Sequence, residues 1–201
     1  VYASFLLFPP ESSRCEAGYS LALGVGICRV LGRFGLCCGL KWPNDVWAPG
    51  VIEGARCKLA GVLLESSIRG ENLASLRAGV GINVNNTDFP IDVPGVSMRQ
   101  ILGQTFEPAE VLAELAVEAA EVNAVFFDQG FGAFSAEYAV YSVLEGKRVF
   151  VRENLHASFR RCAVVCGVNS AGELLVEWED KPGDVCALRA GEVELADAVC
   201  N

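Results

Sequence analysis

The chain has 201 residues, of which 52% are hydrophobic, and this length allows a medium-sized domain and a small one with a packed core. Its formal net charge of -9 argues against general binding to nucleic-acid phosphates or to anionic membranes, although a local basic pocket for one nucleotide stays compatible with it. The longest apolar runs fall short of the roughly 20 residues that cross a bilayer, so the sequence indicates a globular, cytoplasmic protein.

The first part of the chain predicts strands around one helix. Residues 1–8 form an apolar run that indicates a buried strand. Residues 16–34 place apolar side chains at helical spacing, and residues 39–42 indicate a strand that ends at the Pro43-Asn44-Asp45 turn. A short strand resumes at Val46 and Trp47.

The middle of the chain predicts two central strands and the clearest helix. The strands cover residues 58–65 and 75–84, which are apolar on both faces. The helix covers residues 108–127, with a proline suited to its first turn and a row of glutamates, including Glu118, on a face that we expect to be solvated. A further short helix fits residues 131–141.

Beyond Leu144 the sequence changes to short strands separated by turns. The predicted strands are residues 148–152, 159–168, 173–178, 185–188 and 192–195. Short strands of this kind predict a small β-barrel. We therefore divide the chain into an α+β domain over residues 1–143 and a compact β module over residues 144–201.

The cysteines and the histidine argue against a metal site. The nine cysteines form an odd set without a Cys-x-x-Cys pair, which favours reduced thiols in a core over a disulfide framework. The single histidine, His156, leaves few candidate zinc ligands. The sequence therefore predicts no metal site built from cysteine and histidine.

Three segments place polar side chains at the ends of apolar strands, where an unsatisfied polar group would be costly. They are Lys41-Trp42-Pro43-Asn44-Asp45, Lys58-Leu59-Ala60-Gly61-Val62-Leu63-Leu64-Glu65 and Gly79-Val80-Gly81-Ile82-Asn83-Val84-Asn85. Lys58 with Gly61 nearby suits a bound carboxylate or phosphate, and Lys41 offers a second positive charge. Asp45 is suited to hold Mg²⁺ or to orient a nucleophile. Asn83 and Asn85 are suited to bond a nucleobase or a ribose.

Each of these signals also has an ordinary explanation. A lysine at a strand end is usually a solvated rim residue, and an asparagine after a strand usually forms a turn. Cys57, beside Lys58, is interpreted as a bystander thiol. Gly79 and Gly81 lack the third glycine and the following helix of a dinucleotide site, so a Rossmann site is rejected.

Together, the order and separation of the three segments resemble those of the biotin protein ligase family. Phe89-Pro90 and Ser97-Met98-Arg99 extend the match, and residues 191–195 with their preceding strands are similar to the family's C-terminal module. The resemblance implies a mixed β-sheet with flanking helices, of the type shared by class II aminoacyl-tRNA synthetases and biotin ligases. A small SH3-like β-barrel would follow it.

The resemblance also implies a two-step ligation. ATP with Mg²⁺ and biotin would form biotinyl-5'-adenylate, and a lysine amine of a biotin carboxyl-carrier domain would then attack the mixed anhydride. Lys58 and Asp45 would be the catalytic residues. The implied biotin contacts are Lys58, Gly61, Gly79 and Gly81, and the implied ATP or adenylate contacts are Lys41, Trp42, Asn44, Asp45 and Asn83.

The sequence departs from the family in one respect. A segment of the form Gly-Arg-Gly-x-x-Gly-Arg, which in the family precedes the strand that corresponds to residues 1–8, is not among these residues. We therefore expect an incomplete chain whose full product is the ligase. The alternatives are an inactive remnant that binds biotin or nucleotide, and a lipoate-type ligase, although the residues from Lys41 to Asp45 favour biotin. An apolar edge strand also predicts a possible homodimer through the sheet edge.

Overall fold

The computed structural model describes residues 1–10, 18–49, 56–70, 72–90, 94–152 and 160–196. Its strands are β1 (Tyr2–Leu7), β2 (Gly39–Lys41), β3 (Asp45–Pro49), β4 (Arg56–Arg69), β5 (Asn72–Ile82), β6 (Arg148–Arg152), β7 (Arg161–Val168), β8 (Leu174–Trp178), β9 (Val185–Leu188) and β10 (Glu192–Leu195). Its helices are α1 (Tyr19–Arg33), α2 (Met98–Leu102), α3 (Pro108–Gln129) and α4 (Ser135–Tyr141), and a 3₁₀ turn at Phe131–Phe134 precedes α4. His156 and the first residues of the helix predicted over 16–34 lie outside the described residues. Within those residues, none of the helices has the length and apolar character needed to cross a membrane.

The first sheet has the strand order β1-β5-β4-β3-β2, and every pairing between its strands is antiparallel. The predicted mixed sheet is therefore wrong for the described strands. Strands β2 to β5 are both consecutive and adjacent, and their connections are too short for the crossover that parallel pairing requires. The parallel contacts between described residues are two isolated bridges, from Leu40 to Ser142 and from Lys58 to Gly95.

Helix α1 packs against strands β2, β3 and β4 on one face of this sheet, and α3 packs against α1. The α1 side chains Leu23, Ile27 and Leu31 are fully buried, as their helical spacing predicts. A glycine brings the two helices close, because a methyl group on Gly26 would lie 2.9 Å from the Val122 side chain. Helix α3 begins at its proline, as predicted.

Glu118 corrects the prediction of a solvated glutamate face on α3. Its side chain is 3% exposed and accepts hydrogen bonds from Arg29 at 3.0 Å and from Arg33 at 2.9 Å. Arg29 also donates to Glu137 of α4. A buried carboxylate requires such partners, and these arginines come from α1. The pattern of α3 alone could not show them.

The second sheet has the order β10-β6-β7-β8-β9 and is also antiparallel. The predicted short strands are confirmed here, with β6, β9 and β10 at the predicted bounds. The buried side chains of Val149, Val165 and Trp178 belong to the same apolar cluster as the core beneath the first sheet. The division of the chain at residues 143 and 144 stays a prediction.

Candidate active site

One row of residues crosses the whole first sheet. The strand register pairs Lys41 with Asp45, Asp45 with Gly61, Gly61 with Gly81, and Gly81 with Tyr2. Directly opposed residues of antiparallel strands point to the same face. The centre of this row therefore carries no side chains, whereas its ends carry an aromatic ring and two opposite charges.

The paired glycines form the floor of a cavity of about 620 Å³. The next register pair on the same face, Ser4 with Gly79, extends this floor. Tyr2 stands at one end, where its ring lies 3.3 Å from the position of a methyl group on Gly81. Phe89, in the loop after β5, lines another side. A cavity of this size suits a small organic ligand.

Lys58 reaches the row because β4 contains a bulge. The register between β3 and β4 shifts beside this residue. The two residues that follow it, Leu59 and Ala60, are consequently both buried. In a regular strand these neighbours would point to opposite faces. The bulge thus turns the lysine toward the cavity, as bulges commonly do with functional side chains.

The Lys58 side chain crosses directly over Gly61. Its ammonium nitrogen lies 2.5 Å from Oδ1 of Asp45, in an ion pair with side chains that are 39% and 18% exposed. A methyl group on Gly61 would lie 2.9 Å from Lys58 Cε and 3.0 Å from its Nζ. Gly61 therefore clears the path by which the lysine meets the aspartate.

The main chain of Lys58 is fixed by the loop before α2. Its N–H donates to the carbonyl of Pro94 at 2.9 Å, and its carbonyl accepts from Val96 N at 3.0 Å. The Asn83 side-chain amide donates to the carbonyls of Lys58 at 3.2 Å and Val96 at 3.3 Å. The amide nitrogen of Asn83 thus fixes the main chain of Lys58 and is not directed into the cavity.

The turn between Lys41 and Asp45 uses its middle residues to hold its own shape. The Trp42 indole is 2% exposed, and its Nε1 donates to the carbonyl of Gly172 at 3.1 Å. Asn44 Nδ2 donates to the carbonyl of Val62 at 2.8 Å. These groups are directed into the protein. The two charged residues at the ends of the turn belong to the row that borders the cavity.

Lys41 is half-buried where the two sheets meet. Its Nζ lies 5.0 Å from the centre of the Trp47 ring, within range of a cation–π contact. Burial lowers the pKa of the Lys41 amine, and the negative charges of Asp45, Glu192 and Glu194 oppose this effect. Carboxylates of β10 therefore share the surroundings of this amine.

Across the residues that the structure describes, no group of three or more His, Cys, Asp or Glu side chains is arranged to hold a metal ion. Asp45 is the carboxylate at the border of the cavity, and Lys58 is its partner.

Comparisons of the sequence with curated proteins and of the fold with solved structures agree with each other. No family model matches the chain. The chain is 28% identical over 184 residues to biotin–[acetyl-CoA-carboxylase] ligase of Paracoccus denitrificans, which covers 86% of this chain and 72% of that relative. It is 27% identical over 185 residues to the bifunctional ligase/repressor BirA of Bacillus spizizenii, which covers 90% of this chain and 54% of that relative. The chain thus spans about half the length of the second relative.

The solved structures extend this likeness to the fold. Apo biotin protein ligase of Aquifex aeolicus matches with a TM-score of 0.79 at 24% identity, over 97% of this chain and 82% of that one. The complex of the Aquifex enzyme with biotin and ATP matches with a TM-score of 0.77 at 25% identity, over 96% and 77%. The chain is thus similar to biotin protein ligases in both sequence and fold. These solved structures match the combination of helices and antiparallel sheet described above.

Most residues that the ligase resemblance singles out meet at the cavity of this chain. The lining includes Asn44, Lys58, Gly61, Gly79, Gly81 and Asn83. Asp45 and Lys41 adjoin it through the row across the sheet. Trp42 does not reach the cavity. Asn85 is also turned elsewhere, because its side chain bonds the main-chain N–H and carbonyl of Phe106 at 3.1 Å and 2.8 Å.

Tyr2 is a lining residue of the cavity that sequence reasoning missed. Its strand is apolar on both faces, so no alternation in the sequence marks the side that carries Tyr2 and Ser4. The pairing of Tyr2 with Gly81 is the signal, and it appears only once the register is known. Leu6 of β1 is also exposed, as is Phe8 directly after the strand. The homodimer expected through this edge stays a prediction.

Proposed function

We propose that this chain carries the active site of a biotin protein ligase, which joins biotin to ATP and then transfers the biotinyl group to a lysine of a biotin carboxyl-carrier protein. The observation that carries the proposal is the Lys58 ammonium, held over Gly61 and against Asp45 at the border of the cavity. The relatives support the substrates. One is named a ligase for acetyl-CoA carboxylase, and one solved structure contains biotin and ATP.

We assign the biotin moiety to the glycine floor. Gly79 and Gly81 offer a flat surface without side chains, and Tyr2 forms an aromatic wall beside it. Such a surface suits a compact ring system with an apolar tail. The tail would run across Gly61, so that its carboxylate meets Lys58 at the far end of the floor.

Adenylation joins two anions, and the lysines offset their repulsion. An oxygen of the biotin carboxylate attacks the α-phosphorus of ATP, and the bond from that phosphorus to the pyrophosphate oxygen breaks. Lys58 neutralises charge at the reacting centre, and Lys41 supplies a second cation for the phosphates. A Mg²⁺ ion that accompanies ATP would be held chiefly by phosphate oxygens, with Asp45 as the adjacent protein carboxylate. Asn44 and Asn83 are retained as adenylate contacts because both line the cavity.

Transfer requires a neutral amine on the carrier protein. The nitrogen of the carrier lysine attacks the biotinyl carbonyl carbon, the bond to the phosphate oxygen breaks, and AMP leaves. The attacking nitrogen loses a proton in this step. Asp45 is the candidate acceptor because its carboxylate already binds one ammonium group at this position.

We further propose that the second sheet closes as an SH3-like barrel and forms a domain of its own over residues 144–201. Its strands are short and antiparallel, and β7 has an irregular register between Val165 and Gly167. Bulges of this kind bend a strand, as closure of a small barrel requires.

The decisive test is titration calorimetry of the chain with a non-hydrolysable biotinyl-adenylate analogue, together with biotin-dependent exchange of labelled pyrophosphate into ATP. Lys58→Ala should weaken binding about tenfold or more, since hydrogen bonds to charged groups contribute ~1.5–3 kcal/mol. Lys181→Ala is the matched control because it removes an exposed lysine outside the cavity. Circular dichroism spectra should show that both variants are folded.

The outcomes separate the proposed ligase from its alternatives. Binding with pyrophosphate exchange supports the ligase. Binding without exchange points to a chain that binds biotin or nucleotide without catalysis. Failure of the unmutated chain to bind the analogue, or equal affinity in the Lys58→Ala variant, rules out the proposed site.

A further inference from the structure

The strand that carries Lys41 is weakly fixed by its own sheet. β2 is three residues long and pairs with β3 along one side. On its other side, an isolated bridge joins Leu40 to Ser142, and Val143 N donates to the carbonyl of Leu40 at 2.9 Å. An edge strand this short forms few main-chain hydrogen bonds with its neighbour, so its own sheet fixes it weakly. The position of Lys41 therefore depends on what holds the turn that follows.

Side chains hold that turn from two directions. Trp42 Nε1 donates to the carbonyl of Gly172, in the turn between β7 and β8, at 3.1 Å. Ser20 Oγ, at the start of α1, donates to the carbonyl of Pro43 at 3.1 Å. The indole bond is buried, so water does not replace it if it is lost. The second sheet thus contributes directly to fixing the turn.

The β7–β8 turn is shaped to meet the indole. Asn169 Oδ1 accepts hydrogen bonds from two main-chain N–H groups of the same turn at 3.0 Å each. Gly172 has a φ of +81°, and a methyl group on it would lie 2.5 Å from Gly18 Cα. Glycine is therefore required both for the backbone conformation and for the close approach to α1. In this conformation its carbonyl faces Trp42.

We infer that the β7–β8 turn is a positioning element for Lys41 and Asp45, and that Trp42 transmits its position. The catalytic meaning of this inference rests on the proposed function. Lys41 and Asp45 are register partners at the two ends of the turn, so a shift of the turn moves both. Asp45 is also the ion-pair partner of Lys58. The second sheet in this way orders the reacting charges without supplying a reacting group.

Lysine side-chain NMR tests the inference without requiring turnover. The chain has four lysines, at positions 41, 58, 147 and 181, so labelling with ¹³Cε-lysine gives a spectrum that single Lys→Arg variants can assign. Trp42→Phe keeps an aromatic ring and removes the N–H donor. It should shift or split the signals of Lys41 and Lys58 and leave Lys181 unchanged. In the active protein, it should lower kcat for pyrophosphate exchange about tenfold or more, with little change in KM for biotin.

Two further variants protect the test against general destabilisation. Val111→Ala opens a cavity in α3, where the side chain is fully buried, so it should lower stability and leave the Lys41 and Lys58 signals unchanged. Ser20→Ala removes the second support from a partly exposed position and should shift the same two signals by less.

Three results decide the matter. Unchanged Lys41 and Lys58 signals in the Trp42→Phe variant overturn the inference. Equal shifts in the Val111→Ala variant also overturn it, because the effect would then be a general response to lost stability. If the unmutated chain does not bind the adenylate analogue, the proposed function fails, whereas the lysine signals still decide whether the β7–β8 turn positions the pair.

Discussion

Two explanations are available for the glycine at position 61. One is that the ligand needs the space, and the other is that Lys58 needs it. A methyl group at position 61 would lie 2.9 Å from Lys58 Cε, 3.0 Å from Lys58 Nζ and 3.4 Å from Asp45 Oδ1. We predict that Gly61→Ala displaces the lysine and reduces activity while leaving the protein folded.

The magnitude follows from these distances. Non-bonded heavy atoms settle at about 3.5–4.0 Å, so the end of the lysine must retreat by about 0.5–1 Å. Its flexible side chain makes this retreat cheap for stability, and alanine in a strand is favoured over glycine by ~0.5–1 kcal/mol. A displacement of about 1 Å at a reacting centre reduces rates on the order of 100-fold. We therefore expect pyrophosphate exchange to fall by about 10- to 100-fold with an unchanged or slightly raised melting temperature.

A double-mutant cycle distinguishes the two explanations. Affinity for the biotinyl-adenylate analogue is measured for Gly61→Ala, for Lys58→Ala and for both together. If the methyl group acts through the lysine, it has almost no effect once the lysine is absent. An equal loss of affinity in both backgrounds would show that the methyl group excludes the ligand directly. Gly79→Ala is the steric control. Its methyl group would lie at an ordinary 3.7 Å from the carbonyl of Leu63, so this variant should not displace Lys58 and should leave the lysine NMR signals unchanged.

Three further predictions concern stability. Burial lowers the pKa of Lys41 in the folded protein below its ordinary value of 10.5. Between these two pKa values the unfolded chain binds more protons than the folded one, so the free energy of unfolding rises with pH. Lys41→Met should flatten this rise, which urea titrations across alkaline pH would measure. Glu118→Gln should cost about 1–3 kcal/mol in urea unfolding, whereas Glu114→Gln, at an ion pair whose side chains are 46% exposed, should cost less than about 1 kcal/mol. Asn83→Asp should lower the melting temperature, because a carboxylate would face two carbonyl oxygens that now accept from the amide.

The elements that sequence could predict are those whose signal is local. Pro108 predicts the start of helix α3, and the spacing of its apolar residues predicts its buried face. The strands β6, β9 and β10 are short runs between turn residues, and their bounds matched. The polar residues that meet at the cavity were also found, because their order and separation resemble a family in which they act together.

The elements that sequence could not predict depend on a partner elsewhere in the fold. Leu59 and Ala60 are both apolar, so nothing in their pattern reveals the bulge that turns Lys58 toward the cavity. Glu118 resembles its solvated neighbours on α3, and only the arginines of α1 explain its burial. Residue type likewise does not show the direction of a polar group. Asn83 and Asn85 have the same chemistry, yet Asn83 lines the cavity and Asn85 binds the main chain of a distant segment.

The Lys41 to Asp45 turn shows why these inward-facing groups still matter for chemistry. An ammonium group stabilises a developing negative charge only if it is held where that charge forms, since reorganisation during the reaction would offset the gain. A three-residue edge strand cannot hold Lys41 with its main chain alone. Trp42 and Asn44 fix the turn through carbonyls of the second sheet and of β4. A residue that does not reach the cavity, such as Trp42, can therefore be as necessary to the proposed reaction as Lys58. Substitutions of Trp42 should then affect turnover more than biotin affinity.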